Sequence, residues 1–249
     1  MNRGIAKRAL LRMAESSAGR RALAYIAKTE PSLLVEALGP RVNRGARFGT
    51  VRRWPDELNG FEDLAFLFSS NQLHHAIISM TVHEGAYLFG LAHSLPGATI
   101  AEIGRSKGGS TLLLASAMQR DAHLVSYDLH VKATAGRESD AELREALSRY
   151  GLADRVELVV ADSRTAEGPS VDLLLVDGDH SYEGASSDWK AWRDRVKPGG
   201  HVVFHDAVPD GLARPHEGVV RLMEEVRRDE PAFAHRGGAG TLAHFQRVG

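Results

Sequence analysis

The feature that most constrains the fold is a regular alternation of strand-like and helix-like segments that starts near residue 98. Short apolar runs that read as strands are separated by helical patterns, and these runs occupy 99–103, 123–127, 156–160, 171–176 and 201–204. The run at 171–176 is almost continuously apolar, which suits a strand buried on both faces. Repeated strand–helix alternation predicts an α/β fold with a mostly parallel, doubly wound sheet and helices on both faces.

Segments on either side of this alternation add to the predicted fold. At the C-terminal end, 233–235 and 241–247 read as a pair of antiparallel strands joined by a glycine-rich loop. At the N-terminal end, the spacing of apolar residues predicts helices, of which the first, over 3–28, is basic and amphipathic. We therefore predict a basic helical N-terminal extension over residues 1–70 and an α/β domain over residues 71–249.

Charge is distributed unevenly along the chain. Residues 1–53 carry 12 Lys and Arg against three Asp and Glu, a net charge of +9, whereas the remainder carries 19 against 29, a net charge of −10. Such asymmetry suggests a separate role for the basic segment. We expect a solvated helix that packs beside the sheet or covers a partner in a homodimer. Contact with an anionic membrane surface or an acidic acceptor is the alternative; nucleic acid is not expected, because the arginines are not interleaved with aromatic residues.

Composition excludes several classes of protein. The chain has no cysteine, which excludes a disulfide scaffold, a thiolate nucleophile and a cysteine-ligated metal. Its apolar runs all fall short of the roughly 20 residues that a transmembrane segment needs. Charged residues interrupt the apolar ones between Ile5 and Met13, so no signal peptide is predicted. The expected location is the cytoplasm.

The residues that follow the predicted strands are the first candidates for a site. Ligands of an open parallel sheet bind beyond the carboxyl ends of its strands. The residues at those ends are Gly104, Asp128, Asp162, Asp177 and Asp206. Aspartate is common in turns, but four carboxylates at one edge repel each other. A cation or a hydroxyl-rich ligand would relieve that repulsion.

The loop after the first predicted strand is rich in glycine. Gly104, Gly108 and Gly109 would let a ligand approach the backbone, and the helix that follows offers free N–H groups. The loop is neither G-x-x-x-x-G-K-[ST] nor G-x-G-x-x-G, which disfavours a phosphate-cradling loop and a dinucleotide site. A turn that only packs the helix on the strand is the alternative interpretation.

Taken together, these motifs resemble a known family. Glu102-x-Gly104-x-x-x-Gly108-x-Ser110, followed by Asp128, is similar to the pattern of class I S-adenosylmethionine-dependent methyltransferases, which have a Rossmann-like fold. Over roughly residues 80–247 the chain resembles the cation-dependent O-methyltransferases, a branch that includes catechol, caffeoyl-CoA and macrolide-sugar enzymes. The further motifs that carry this resemblance are Glu84-Gly85-x-x-Leu88, Val176-Asp-Gly-Asp-His-Ser-Tyr182, Lys197-Pro-Gly-Gly200 and His205-Asp206.

The resemblance implies residues that bind S-adenosylmethionine. Glu102 would face the ammonium group of its methionine moiety, and Ser110 would bind the carboxylate at a helix N-terminus. Gly104 and Gly108 would admit the cofactor to the backbone, while Asp128 would accept hydrogen bonds from both ribose hydroxyls. The predicted cofactor-binding set is completed by Glu84, Asp162 and Ser163, with turn capping as the alternative role of Asp162.

The resemblance also implies a metal site and a base. Asp177 matches the first metal ligand of the family, and the family's Asp-Asn pair is Asp206-Ala207 here. Asp177 and Asp206 would share a Mg²⁺ ion; the interpretation without a metal, in which both only accept hydrogen bonds, stays open. His180 lies at the position of the family's base, and His205 is the second candidate.

The resemblance therefore predicts an O-methyltransferase that acts on a hydroxyl of a small molecule of sugar or catechol type, with Asp177, His180 and His205 as catalytic residues. An NAD(P)-dependent oxidoreductase is the first alternative, but the sequence lacks G-x-G-x-x-G and Tyr-x-x-x-Lys. A nucleic-acid amino-methyltransferase is a further alternative, but the sequence lacks the Asn/Asp-Pro-Pro-aromatic motif of that class. A non-catalytic cofactor-binding or interaction module is the last alternative, and the presence of Asp177 and His180 argues against it.

Overall fold

A computed structural model of the chain describes residues 47–51, 54–68, 77–129, 133–208 and 216–249, together with a few positions near the N-terminus. Those positions are Ser16, Ala18, Gly19, Arg21 and Ala22. The predicted basic helix over 3–28 lies almost entirely outside the described residues.

The described residues form one sheet of seven strands. The strands are β1 (Thr99–Ile103), β2 (His123–Asp128), β3 (Val156–Val160), β4 (Val171–Val176), β5 (Val196–Phe204), β6 (Phe233–Gly237) and β7 (Ala243–Arg247). Their order in the sheet is β3-β2-β1-β4-β5-β7-β6. The first five strands are parallel, and β7 runs antiparallel to both β5 and β6. The predicted doubly wound sheet with a C-terminal antiparallel pair is confirmed.

Helices cover both faces of this sheet. The α-helices in the described ranges are α1 (Val82–His93), α2 (Gly109–Ala117), α3 (Ala133–Arg149), α4 (Tyr182–Trp192) and α5 (Glu217–Asp229). Two of them start at side-chain caps, where Thr81 accepts from the Glu84 N–H and Ser181 accepts from the Gly184 N–H. Within the part of the chain that the structure describes, no helix is long and apolar enough to span a bilayer.

The sheet separates two apolar cores. Successive residues of β4 point to opposite faces, so that Leu173 and Leu175 join the core under α1, α2 and α3, while Leu174 and Val176 join the core under α4 and α5. All four side chains are buried. The continuous apolar run of β4 is therefore explained by a central strand covered on both faces.

Part of the predicted N-terminal extension belongs to the first core. Phe48 is buried there beside α3, and Leu64 and Leu67 are buried beside α1 and α2. The apolar spacing around residues 57–68 also predicts an α-helix, but the structure has a 3₁₀ helix there, over Phe61–Leu67. The predicted boundary at residue 70 thus cuts through a packed core, because the apolar residues before it cover helices of the α/β domain.

Candidate active site

A cavity of about 790 Å³ opens at the carboxyl ends of the central strands. Most of the predicted site residues line it, namely Gly104, Ser110, Asp128, Asp162, Ser163, Asp177, His180, His205 and Asp206. Ile77, Ile78 and Met80 add an apolar wall. Three predicted residues, Glu84, Glu102 and Gly108, are not part of the lining.

The two glycines of the loop after β1 are needed for close packing. Gly104 has a φ of +87°, and a Cβ there would lie 2.1 Å from the carbonyl oxygen of Asp177. Gly108 has a φ of +85°, and a Cβ there would lie 2.5 Å from the Leu143 side chain on α3. For Gly108 the structure thus supports the alternative interpretation, in which the glycine lets elements pack, whereas Gly104 also borders the cavity.

A carboxylate and a helix N-terminus flank this loop. Asp128 is the last residue of β2, and its Oδ2 accepts a hydrogen bond of 2.8 Å from the Ser106 N–H. Ser110 is the second residue of α2, is buried and lines the cavity. The cavity thus offers a carboxylate for hydroxyl groups and a helix N-terminus for a negative group, which suits the ribose and the carboxylate of S-adenosylmethionine.

Glu102 lies behind the wall of the cavity. Its Oε2 accepts hydrogen bonds from the Thr111 and Ser126 hydroxyls, at 2.5 and 2.6 Å. Its Oε1 is buried without a hydrogen-bond partner among the described residues. Burial raises the pKa of Glu102 despite these hydroxyls. Because this side chain does not reach the lining, its contact with the cofactor's ammonium group stays a prediction.

The turn after β3 is held by its own side chains. Asp162 accepts from the Arg164 backbone N–H at 3.0 Å and pairs with the Arg164 guanidinium. Next to it, the Ser163 hydroxyl donates to Asp188 at 2.6 Å, and the Trp192 indole donates to the Ser163 carbonyl. Asp162 therefore performs the turn-capping role that was its alternative, while its position also places it on the cavity wall.

At the ends of β4 and β5, four side chains form one cluster of Asp177, His180, His205 and Asp206. Each offers a potential ligand atom, and these atoms all lie within 4.8 Å of one another. His205 Nδ1 is 3.1 Å from Asp177 Oδ1 and 3.4 Å from Asp206 Oδ2. His180 Nε2 is 3.1 Å from Asp206 Oδ2, as an ion-pair contact without hydrogen-bond geometry. The predicted metal and base residues are thus brought together.

The charges in this cluster support one another. Contacts with Asp177 and Asp206 raise the pKa of His180 to about 9. Burial works against charge on His205, but the same two carboxylates outweigh it and raise the pKa of His205 as well. The imidazoles in turn lower the pKa of both carboxyl groups, again against the effect of burial. Without a bound cation, the cluster is neutralised by its own protons.

Glu84, expected at the cofactor, lies behind this cluster. Its Oε1 accepts from the backbone N–H and the hydroxyl of Thr241, both at 2.7 Å, and its Oε2 accepts from the Thr81 N–H at 2.7 Å. The same Oε2 is 3.9 Å from His205 Nε2. Burial opposes the charge of Glu84, but these partners lower its pKa to about 2. Sequence reasoning missed Thr241, which no local motif marks and which lies 157 positions from Glu84.

The sequence also matches known proteins. Residues 101–207, which span the cavity-forming strands, match the family model of a methyltransferase domain. The chain thus carries a methyltransferase domain. A catechol O-methyltransferase of Niastella koreensis is 23% identical to this methyltransferase over 186 residues, which cover 73% of the chain and 83% of the relative. A catechol O-methyltransferase of Mycobacterium tuberculosis is 30% identical over 152 residues, which cover 59% and 64%.

Solved structures share the fold of the methyltransferase. The crystal structure of an O-methyltransferase from Bacillus cereus in complex with SAH superposes with a TM-score of 0.53 at 20% identity, covering 76% of this chain and 90% of that one. The predicted resemblance, the Rossmann-like fold and the enzyme class are therefore confirmed.

Proposed function

We propose that this methyltransferase transfers the methyl group of S-adenosylmethionine to a hydroxyl of a small molecule of sugar or catechol type. The observation that carries the proposal is the composition of one cavity. The loop after β1 and Asp128 line it together with the cluster of carboxylates and imidazoles at the ends of β4 and β5. The two relatives are named catechol O-methyltransferases, which supports a hydroxyl as the acceptor.

Residues of the first half of the sheet would bind the cofactor. Asp128 accepts hydrogen bonds from the ribose hydroxyls, and the N-terminus of α2 with Ser110 binds the methionine carboxylate. Gly104 allows the backbone to approach the cofactor. When bound, S-adenosylmethionine supplies a methyl group on a sulfonium sulfur, which is a good leaving group.

Residues of the second half would prepare the acceptor. As the carbon–oxygen bond forms and the sulfur–carbon bond breaks, the hydroxyl proton must leave. His180 is placed to receive it once its imidazole has lost the proton that Asp177 and Asp206 hold there. Its side chain is 31% exposed against 5% for His205, so an acceptor in the cavity reaches the ring of His180 first, although Nε2 of that ring is buried against the two carboxylates. Asp177 and Asp206 hold the imidazole by charge. These carboxylates are also the residues that would hold a divalent cation, whose charge would lower the pKa of the acceptor hydroxyl.

Binding and turnover test the proposal separately. In calorimetric titrations we expect S-adenosylmethionine and S-adenosylhomocysteine to bind, and preferential binding of NADH would contradict the proposal. With S-adenosylmethionine and a panel of catechols and sugars, mass spectrometry should detect a methylated product.

Substitution of the proposed base sharpens this test. His180→Ala should lower turnover by about 10²–10⁴-fold without changing the affinity for S-adenosylhomocysteine. His123→Ala is the matched control, because His123 starts β2 at the opposite edge of the sheet. Equal turnover of both variants would exclude His180 as the base.

A cytoplasmic location and a homodimer are further parts of the proposal, and light scattering of the purified protein tests the dimer.

A further inference from the structure

The cluster differs from the oxygen-only ligand set that the resembled family implies. Where that family has a third oxygen ligand, this chain has Ala207, which is 2% exposed and packs into the second core. The imidazole of His205 faces the two carboxylates instead. Mg²⁺ prefers oxygen ligands, whereas imidazole favours divalent transition ions. The residues present therefore do not fit a dedicated Mg²⁺ site.

Spacing within the cluster suits a bound ion. Two ligand atoms about 2.1 Å from one ion lie about 3.0 Å apart at a right angle and about 3.4 Å apart at a tetrahedral angle. His205 Nδ1 lies 3.1 Å from Asp177 Oδ1 and 3.4 Å from Asp206 Oδ2. The side chain of His205 is only 5% exposed, so its ring is held in place by its surroundings.

The backbone and a carboxylate behind the cluster hold these groups in position. Asp206 has a φ of +54°, in the left-handed region that non-glycine residues seldom occupy. Glu84 Oε2 lies on the far side of His205, 3.9 Å from Nε2. Histidines that ligate metals commonly donate their second N–H to a carboxylate, which fixes the ring orientation. At this distance the charge of Glu84 favours a proton on Nε2, which leaves Nδ1 facing the two aspartates.

We propose that Asp177, His205 and Asp206 form a site for a divalent first-row transition ion, which binds there more tightly than Mg²⁺, and that Glu84 is the positioning residue for His205. Three protein ligands leave coordination positions open, as in catalytic metal sites. His180 lies on the cavity side of this site, where it accepts the proton of an acceptor hydroxyl. Only the catalytic use of the ion rests on the proposed function.

Metal titrations of the full chain test the ligand preference. The metal-depleted protein is titrated with Co²⁺ and with Mg²⁺ by calorimetry, in the absence of cofactor and acceptor, and Co²⁺ binding is also followed by visible absorption. We expect one Co²⁺ per chain, bound at least about 100-fold more tightly than Mg²⁺. Equal affinity for the two ions would overturn the proposal.

Variants assign the ligands. His205→Asn exchanges the nitrogen for an amide oxygen, so the preference for Co²⁺ over Mg²⁺ should collapse. Glu84→Gln should weaken Co²⁺ binding by about 10–100-fold. His201→Asn, on the strand that ends directly before His205, should bind Co²⁺ as the wild type does, and so should His180→Ala. Unchanged Co²⁺ affinity in His205→Asn, or its loss in His180→Ala, would overturn this assignment.

A spectroscopic measurement on the wild type covers the case in which His205→Asn fails to fold. One equivalent of Cu²⁺ should show electron paramagnetic coupling to an imidazole nitrogen, and oxygen-only coordination would contradict the proposal.

The outcomes of these experiments also separate the proposed metal site from the proposed function. A protein that binds Co²⁺ but methylates no hydroxyl contradicts the proposed function alone. A protein that methylates a hydroxyl while binding no transition ion contradicts the metal site alone.

Discussion

Gly104 is the position where a single methyl group should damage the active site most. A Cβ on this residue would lie 2.1 Å from the Asp177 carbonyl oxygen and 2.7 Å from Gly178 Cα, below the 3.0 Å that real Cβ contacts require. The end of β4 would have to move by about 1 Å, and overpacking of this kind costs about 1–3 kcal/mol. The φ of +87° adds about 1–2 kcal/mol for any residue with a Cβ. We therefore expect Gly104→Ala to lose about 2–5 kcal/mol of unfolding free energy.

A second glycine, Gly151, is a control that separates the steric clash of a Cβ from the free-energy cost of a positive φ. Gly151 has a φ of +64°, and a Cβ there would meet no atom within 4 Å, so Gly151→Ala should lose only the conformational part, about 1–2 kcal/mol. Urea denaturation measures both losses. Turnover should fall about 100-fold in Gly104→Ala, because it moves Asp177 relative to the cofactor, and stay unchanged in Gly151→Ala. Equal destabilisation of the two variants with unchanged turnover would refute the argument.

Three further predictions concern the cofactor, a buried ion pair and a buried histidine. Asp128→Asn should weaken S-adenosylhomocysteine binding in calorimetry by about 10–100-fold, whereas Asp121→Asn, whose carboxylate accepts from a backbone N–H at the opposite edge, should not. Asp140→Ala removes the carboxylate that pairs with the fully buried Arg105 guanidinium, which keeps its hydrogen bonds to two backbone carbonyls, and should cost about 3–5 kcal/mol in urea denaturation. Asp229→Ala, in an exposed pair, should cost under about 1 kcal/mol. Burial lowers the pKa of His244 to about 4, so protonation of the unfolded chain should cost the wild type about 3 kcal/mol between pH 6.5 and pH 4. His244→Gln should not show this loss in denaturation curves across that range, and an equal loss would contradict the assignment.

Local pattern was sufficient for the central strands. β1, β3 and β4 have the predicted bounds, because short apolar runs between turn residues identify buried strands without knowledge of their neighbours. β5 is longer than predicted and begins at Val196. Its Pro-Gly-Gly segment contains turn residues, and the register with β4 shifts there, from Val171 opposite Val196 to Leu173 opposite His201. Pairing on both sides of this irregularity therefore extends the strand beyond the local turn signal.

The site residues also divide into those that local pattern predicts and those that only tertiary packing places. Asp128, Asp177 and Asp206 could be predicted because the ends of parallel strands meet at one edge whatever the details of the fold. The role of Glu84 could not, since it depends on His205 and Thr241, which come from β5 and from the turn before β7. Only tertiary packing brings that carboxylate behind the imidazole.

Strand order explains why the two halves of the site meet at Gly104. From β1 the chain passes outward through β2 and β3, then returns to the other side of β1 with β4 and β5. The proposed cofactor-binding groups thus come from one side of β1, and the carboxylate–imidazole cluster comes from the other. At the seam, the Gly104 N–H donates to the Tyr127 carbonyl and the Asp177 N–H donates to the Ile103 carbonyl, at 2.9 and 2.8 Å. Since methyl transfer requires the donor carbon and the acceptor oxygen in line at about 3 Å, we expect the backbone at Gly104 to set the distance between a bound cofactor and an acceptor beside Asp177.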